Sequence, residues 1–212
     1  MSGQNILLVE GKDDEHVLKH ICGNRALGNL FQKVKSHGSV ESLLESIPIQ
    51  LKAGEEGDIV GIVVDADTDL TARWQSIRYK LTELGYANVP TEPELKGTII
   101  DPPNDSQMIL PRTGIWIMPD NRAKGILEDF LRFLIPQCSK LYQHVEDSLE
   151  KIPKEERFFK PVSLPKAKIH TWLAWQEDPG KPLGTAITAR FLDPNVPEVD
   201  TLVSWLKDLY RG

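Results

Sequence analysis

Short apolar runs alternate with amphipathic stretches over roughly the first two-thirds of the chain. Residues 5–9 and 59–65 are mostly apolar, which predicts strands buried on both faces, and residues 31–36 alternate apolar and polar side chains, which predicts a strand with one wet face. Apolar residues recur at helical spacing after each of these runs, over residues 13–22, 39–47 and 70–84. This order of strand and helix predicts a parallel sheet with right-handed crossovers.

The helix boundaries follow from capping and breaking residues. Asp13 or Asp14 is a candidate N-cap for the first helix and Ser39 for the second, while Pro48 is expected to end the second helix. Asp69 precedes the third helical pattern and is a candidate cap for it, and Gly85 is expected to close that helix.

A hairpin and a helical tail complete the predicted fold. Residues 107–110 and 114–118 are expected to form the hairpin, which adds antiparallel strands to the sheet. A further helix is expected over residues 126–134. We therefore expect an α/β domain over residues 1–136, with helices flanking a mostly parallel sheet, and a helical extension over residues 137–212 packed on it.

Composition limits the class of protein. With 212 residues, 40% of them hydrophobic, and a mean hydropathy of −0.30, the chain is typical of a soluble globular protein. Its two cysteines, Cys22 and Cys138, suggest neither a disulfide framework nor a zinc site, so a reducing, cytoplasmic setting is expected. No signal peptide or membrane-spanning run is evident. A net charge of −6 argues against coating nucleic acid by charge alone, but is compatible with a nucleic-acid enzyme whose acidic site is neutralised by metal.

Acidic side chains follow several of the predicted strands. Glu10 follows the first strand, Asp65 and Asp67 end the third, Asp120 follows the hairpin, and Glu128 begins the next helix. In an extended backbone Asp65 and Asp67 point to the same side, with Cα atoms roughly 7 Å apart. Two like charges about 4 Å apart repel by about 4 kcal/mol at an effective dielectric constant of 20, so the pair needs a cation, a proton or open water. On this motif alone, a metal site and a cap of the following helix remain equal alternatives.

Two motifs together resemble the Toprim domain, which is shared by topoisomerases, primases, small maturation ribonucleases and OLD-family nucleases. The matching residues are Leu7-Leu8-Val9-Glu10-Gly11-Lys12-Asp13-Asp14 and Ile62-Val63-Val64-Asp65-Ala66-Asp67. Residues 114–129 are also similar to the Leu-Glu region of OLD nucleases, through Ile126-Leu127-Glu128. The resemblance covers about the first two-thirds of the chain, and the sequence contains no ATPase P-loop and no primase zinc ribbon.

The resemblance implies a Toprim-like, Rossmann-type fold and a Mg²⁺- or Mn²⁺-dependent phosphotransfer on nucleic acid, most simply by a nuclease or nickase acting on DNA or RNA. Glu10 would then be a general acid/base or a metal ligand, and Asp65 and Asp67 would bind the metal. If Asp120 and Glu128 join them, two metal ions could be held.

Basic residues near these motifs are candidates for phosphate binding. They are Lys12, Arg122, Lys124, Lys166 and Lys168, and solvated surface charge is the alternative explanation for each. Three acidic candidates also have ordinary alternatives. Glu10 could pair with Lys12, Asp120 could cap a helix, and Glu128 could be a first-turn acid favoured by the helix dipole.

Two other functions stay open from the sequence. One is a non-catalytic Toprim-like module that binds metal or nucleic acid, or a protein partner, in a defence or repair system; a homo-oligomer is also open. The other is a haloacid-dehalogenase-like phosphatase, because Asp65-Ala66-Asp67 follows an apolar strand. That family expects Thr or Val where Asp69 stands, and expects the motif on the first strand.

Overall fold

The chain folds around a five-stranded sheet with helices on both faces. The computed structural model describes residues 3–28, 30–103 and 108–211. The strands are β1 (Asn5–Val9), β2 (Lys33–Ser36), β3 (Ile59–Asp65), β4 (Thr98–Ile100) and β5 (Arg112–Met118). The helices are α1 (Lys12–Asn24), α2 (Val40–Lys52), α3 (Leu70–Glu83), α4 (Leu127–Phe133), α5 (Lys140–Glu150), α6 (Leu164–Ala174), α7 (Leu183–Thr188) and α8 (Pro197–Arg211).

The sheet has the strand order β2-β1-β3-β5-β4. All neighbouring strands are parallel except β4, which runs antiparallel to β5. The expected α/β fold with a mostly parallel sheet and an antiparallel addition is thus confirmed. Strand β3 lies at the centre and is buried from Val60 to Val64 because helices cover both of its faces, as its continuous apolar run predicted.

The predicted position of the antiparallel partner is wrong. The strand that pairs with β5 is β4, residues 98–100, and the structure forms no strand over residues 108–110, while Gln107 lies outside the described residues. Arg112 and Thr113, expected in the hairpin turn, instead begin β5 because they pair with Ile59 and Val60 of β3.

The predicted end of α2 is also wrong. The helix continues through Pro48 to Lys52. A proline removes one backbone hydrogen bond from a helix. However, Ile47, just before Pro48, and Leu51, in the turn after it, are both fully inaccessible to solvent. The burial of this apolar stripe outweighs the local preference of proline.

The C-terminal helices share a core with the sheet. Trp116 of β5 packs against Trp205 of α8, with 5.7 Å between the ring centroids. Near the C-terminal end of α8, the Tyr210 hydroxyl donates a hydrogen bond to the Ile6 carbonyl at 2.6 Å and accepts one from the Gly61 N–H at 3.1 Å. Helix α8 can approach this closely because Gly61 lacks a side chain: a Cβ there would lie 2.4 Å from the Tyr210 hydroxyl. No described helix is both long enough and apolar enough to cross a membrane.

Candidate functional site

Five acidic residues line one pocket at the carboxyl edge of the sheet; Asp13 is exposed, and the other four are partly or fully buried. Glu10 follows β1, Asp65 ends β3, Asp14 lies in the first turn of α1, and Glu128 lies in the first turn of α4. We call the space that they line, about 260 Å³ in volume, the carboxylate pocket. Ligand sites of open α/β sheets lie beyond the carboxyl ends of the strands, so the sheet places this pocket where such sites occur.

Glu10 is held against the end of β3. Its Oε1 atom accepts a hydrogen bond from the Asp65 N–H at 2.7 Å. Burial raises the pKa of Glu10 to about 7, and the negative charges of Asp14 and Asp67 act in the same direction. The alternative of an ion pair with Lys12 is not what the structure shows, since the Lys12 ammonium pairs with Glu15 at 2.7 Å.

Asp65 has an oxygen atom without a partner. Its Oδ1 is buried and accepts no hydrogen bond from the described part of the chain. Burial, followed by the charges of Glu10, Asp14 and Glu128, raises the pKa of Asp65 to about 9. A carboxylate in such a place is stabilised either by a proton or by a cation.

Asp14 and Glu128 complete the pocket. Asp14 is 7% exposed and accepts a hydrogen bond from the Gly11 N–H at 2.9 Å, so Gly11 is the N-cap and Asp14 its partner in the first turn, rather than the cap itself. Burial and the charge of Glu128 raise the pKa of Asp14 to about 6. Glu128 is 4% exposed, and the Lys166 ammonium lies 3.6 Å from its Oε1. Asp14 was not among the predicted site residues; the signal available in the sequence was its position four residues after Glu10, in the first turn of α1.

Asp67 lies beside the pocket in a different environment. The extended backbone expected there is wrong: β3 ends at Asp65, and Asp67 has a left-handed φ of 54° while its N–H donates to the Gly125 carbonyl at 2.8 Å. Its carboxylate pairs with the Arg73 guanidinium at 2.5 Å, and Arg73 Nε also donates to the Asp65 carbonyl. Asp67 lines a neighbouring cleft, together with Lys124, and not the carboxylate pocket itself. Nothing in the sequence pattern indicated a role for Arg73.

Asp69 and Asp120 have local roles. The Asp69 carboxylate accepts the Ala72 N–H at 2.9 Å, which confirms Asp69 as the cap of α3. The Asp120 carboxylate accepts two backbone N–H groups, from Arg122 at 3.0 Å and Ala123 at 2.8 Å. Asp120 thus stabilises a turn before α4, and it is not among the residues that line the carboxylate pocket.

The predicted phosphate-binding residues are divided among several surfaces. Lys12 and Lys166 line the carboxylate pocket. Arg122 lines a cleft beside Trp74, and Lys124 lines the cleft that contains Asp67. Lys168 pairs with Glu146 at 2.7 Å. The structure therefore brings two of the five basic residues to the four carboxylates.

The pocket fits a metal ion that is held by few protein ligands. Within residues 3–28, 30–103 and 108–211, no group of three or more His, Cys, Asp or Glu side chains is arranged to hold a metal ion by itself. Mg²⁺, however, is usually bound by one or two carboxylates and keeps several waters. The unpartnered Oδ1 of Asp65 and the surrounding negative charge match that mode of binding.

Fold and pocket together define an α/β protein with an acidic pocket at the carboxyl edge of a mostly parallel sheet. Residues 4–211 match the model of a family described as "Protein of unknown function (DUF3226)", and the chain belongs to this family. Comparison with curated proteins and with solved structures finds no match. The family description names no activity, so the resemblance to Toprim domains stays a prediction.

Proposed function

We propose that the protein is a Mg²⁺- or Mn²⁺-dependent nuclease or nickase whose active site is the carboxylate pocket. The observation that carries this proposal is the buried, unpartnered Oδ1 of Asp65 among Glu10, Asp14 and Glu128. Strongly raised pKa values of neighbouring acids are typical of functional sites. The motifs that resemble Toprim domains contribute Glu10 and Asp65 to this same pocket.

Asp65 and Glu128 are the side chains that would hold the metal ion, with waters and substrate phosphate completing its shell. When bound, such an ion stabilises charge on phosphate oxygens and acidifies a bound water. Asp67 and Asp120, also predicted as ligands, already bind Arg73 and two backbone N–H groups, respectively. The proposal therefore rests on the residues of the pocket.

Glu10 is the proposed general acid/base. The Asp65 N–H fixes its carboxylate in the lining of the pocket, and a pKa of about 7 lets the group exist in both protonation states near neutral pH. Lys12 and Lys166 supply positive charge at the rim, where it can attract a phosphate backbone.

The test is a cleavage assay with labelled single-stranded and duplex DNA and RNA, and with supercoiled plasmid, in Mg²⁺, Mn²⁺ or EDTA. Glu10→Gln and Asp65→Asn are each expected to lower the cleavage rate by about 10²-fold or more, because each removes a group that acts on the reacting phosphate. Asp147→Asn, on the exposed face of α5, is the matched control and should cleave normally. Cleavage by the Asp65→Asn variant at the wild-type rate would exclude this pocket as the active site.

A second candidate is a non-catalytic module that binds metal or nucleic acid. The Asp67–Arg73 ion pair favours this candidate, because the guanidinium of Arg73 already pairs with the second acid of the Asp-x-Asp motif. Calorimetry would support this candidate if Mn²⁺ bound the wild type but not Asp65→Asn and no nucleic acid were cleaved. The phosphatase alternative has less support, because Asp65 ends the third strand and Asp69 caps α3.

A further inference from the structure

The segment that joins α5 to α6 is basic in an acidic protein. Residues 151–168, which we call the basic segment, contain six Lys or Arg and two Glu residues, a net charge of +4, whereas the whole chain carries −6. The segment is irregular apart from two short 3₁₀ turns, Lys154–Glu156 and Pro161–Ser163, and the start of α6.

The basic segment borders the carboxylate pocket. Its residues Pro161 and Val162 line the cleft that contains Asp67. One helical turn further on, Lys166 lines the pocket itself and lies 3.6 Å from Glu128. A chain bound along this segment would therefore be led to the carboxylates.

Several of the positive charges are available to a ligand. Arg157 is held in place by the carbonyls at the end of α5, to which its guanidinium donates, and this anchors the segment. Lys151, Lys154 and Lys160 are exposed and form no ion pair with any residue that the structure describes. Their ammonium groups are free to contact phosphates.

Phe158 is the most exposed large hydrophobic side chain of the described residues, at 92%. Its neighbour Phe159 packs against the core and so fixes the backbone beside it. Phe158 lies three residues before Pro161, which is at most about 11 Å of extended chain. An aromatic ring presented to solvent among lysines is the combination with which proteins bind single-stranded nucleic acid, the ring stacking on a base and the cations following the backbone.

We propose that the basic segment binds single-stranded nucleic acid, with a base stacked on Phe158 and the phosphates on Lys151, Lys154 and Lys160. Single strands are favoured over duplexes because a duplex keeps its bases paired and stacked, out of reach of a surface ring. This inference rests on the proposed function, since it names the substrate class of the same site.

The test is the anisotropy of labelled oligonucleotides titrated with protein in EDTA, so that binding is measured without cleavage. Oligo-dT and oligo-U are expected to bind at least tenfold more tightly than a duplex of the same length. The ratio of the affinities for oligo-dT and oligo-U shows whether the segment prefers DNA or RNA. Phe158→Ala should weaken single-strand binding about tenfold, and Phe158→Trp should restore it, because base–aromatic stacking is lost in the first variant and kept in the second. Lys154→Gln and Lys160→Gln should each reduce the slope of log affinity against log salt by about 0.7.

Tyr79→Ala is the matched control, since Tyr79 is a 66% exposed aromatic residue on α3. The Tyr79→Ala variant should bind the single strands as tightly as the wild type does. Equal affinity of Phe158→Ala and wild type, or tighter binding of the duplex, would overturn the inference and assign Phe158 to another contact. Comparison of the Asp65→Asn and Phe158→Ala variants separates the two proposals. If single-strand binding depends on Phe158 but no metal-dependent cleavage is found, the binding surface is supported and the nuclease is rejected. If cleavage depends on Asp65 but not on Phe158, the nuclease is supported and the binding surface is rejected.

Discussion

Asp65 combines a place at the end of the central strand with a carboxylate oxygen that accepts no hydrogen bond from the described residues. Burial and the negative charges of Glu10, Asp14, Glu128 and Asp67 disfavour its ionisation, so ionising Asp65 in the metal-free protein raises the energy of the folded state. In an unfolded chain each acid would titrate near its ordinary pKa. The pocket therefore destabilises the metal-free fold at neutral and alkaline pH.

The raised pKa values of the pocket make the stability of the fold depend on pH. The folded state holds protons on Asp65 up to a pKa of about 9 and on Glu10 up to about 7, above the values of the unfolded chain. The folded state therefore binds more protons between pH 4 and pH 9, and the free energy of unfolding in EDTA should fall as pH rises through that range. Asp65→Asn removes one of these charges and should be more stable than the wild type at pH 8 by several kcal/mol, because pH 8 lies far above the ordinary pKa of this carboxyl but below its raised pKa of about 9, at about 1.4 kcal/mol per pKa unit.

Urea unfolding at pH 5 and pH 8 measures this effect, with Asp147→Asn as a control whose stability should follow the wild type at both values. If the proposed metal site is correct, Mg²⁺ should stabilise the wild type at pH 8 more than Asp65→Asn, because an ion held by the pocket would bind the folded state only. A wild type that is as stable at pH 8 as at pH 5 in EDTA would contradict the assignment of raised pKa values.

At the scale of elements, hydrophobic periodicity predicted the alternation of strands and helices, because burial of an apolar face determines each element. The predictions from periodicity were wrong where packing between residues far apart in the sequence determined the structure. Pro48 should have ended α2, but Leu51 is buried one turn later. Arg112 and Thr113 resembled a turn, but pairing with β3 made them strand. Neither pairing partners nor the depth of a core can be read from a local pattern.

The candidate site was predictable to a similar degree. Strand ends and motifs pointed to Glu10, Asp65 and Glu128, which line one pocket. The position of Asp67 was not predictable, because it depends on a left-handed backbone and on Arg73, one turn into α3. Asp14 was recognised only as a capping residue, and its carboxylate both accepts the Gly11 N–H and lines the pocket.

The cap of α3 gives a prediction at the same scale. Asp69 is exposed and accepts the Ala72 N–H, so Asp69→Ala should lower the free energy of unfolding by about 1 kcal/mol through loss of that cap. For a chain of this size the melting temperature should fall by about 2–4 °C. Calorimetry at pH 5 measures the change. The control is Glu45→Ala, which replaces an exposed helical acid and should melt within about 1–2 °C of the wild type, because surface changes usually alter stability by less than about 0.5 kcal/mol. An Asp69→Ala melting temperature equal to that of Glu45→Ala would mean that the cap contributes nothing.

At the scale of the whole molecule, α8 ties the end of the chain to its beginning. Its apolar side chains Leu202, Leu206 and Leu209 are fully buried in the core that also contains Leu7 of β1 and Trp116 of β5. Gly114 of β5 lies against the same helix, where a Cβ would come 2.5 Å from Leu209. Contacts of this kind make the helices after residue 137 part of the core on which the carboxylate pocket is built.

Tyr210 provides the test of that coupling. Its hydroxyl bonds to the Ile6 carbonyl and the Gly61 N–H, so Tyr210→Phe removes two hydrogen bonds that join α8 to the central strands. The free energy of unfolding should fall by about 1–3 kcal/mol. Because α8 and the sheet share one core, far-ultraviolet circular dichroism and tryptophan fluorescence should report the same shifted transition.

Gly114→Ala, which crowds the same interface between α8 and the sheet, should likewise lower the free energy of unfolding by about 1–3 kcal/mol, in a single transition. Two separate transitions in either variant would mean that the sheet unfolds independently of α8, and that the pocket does not need the C-terminal helices.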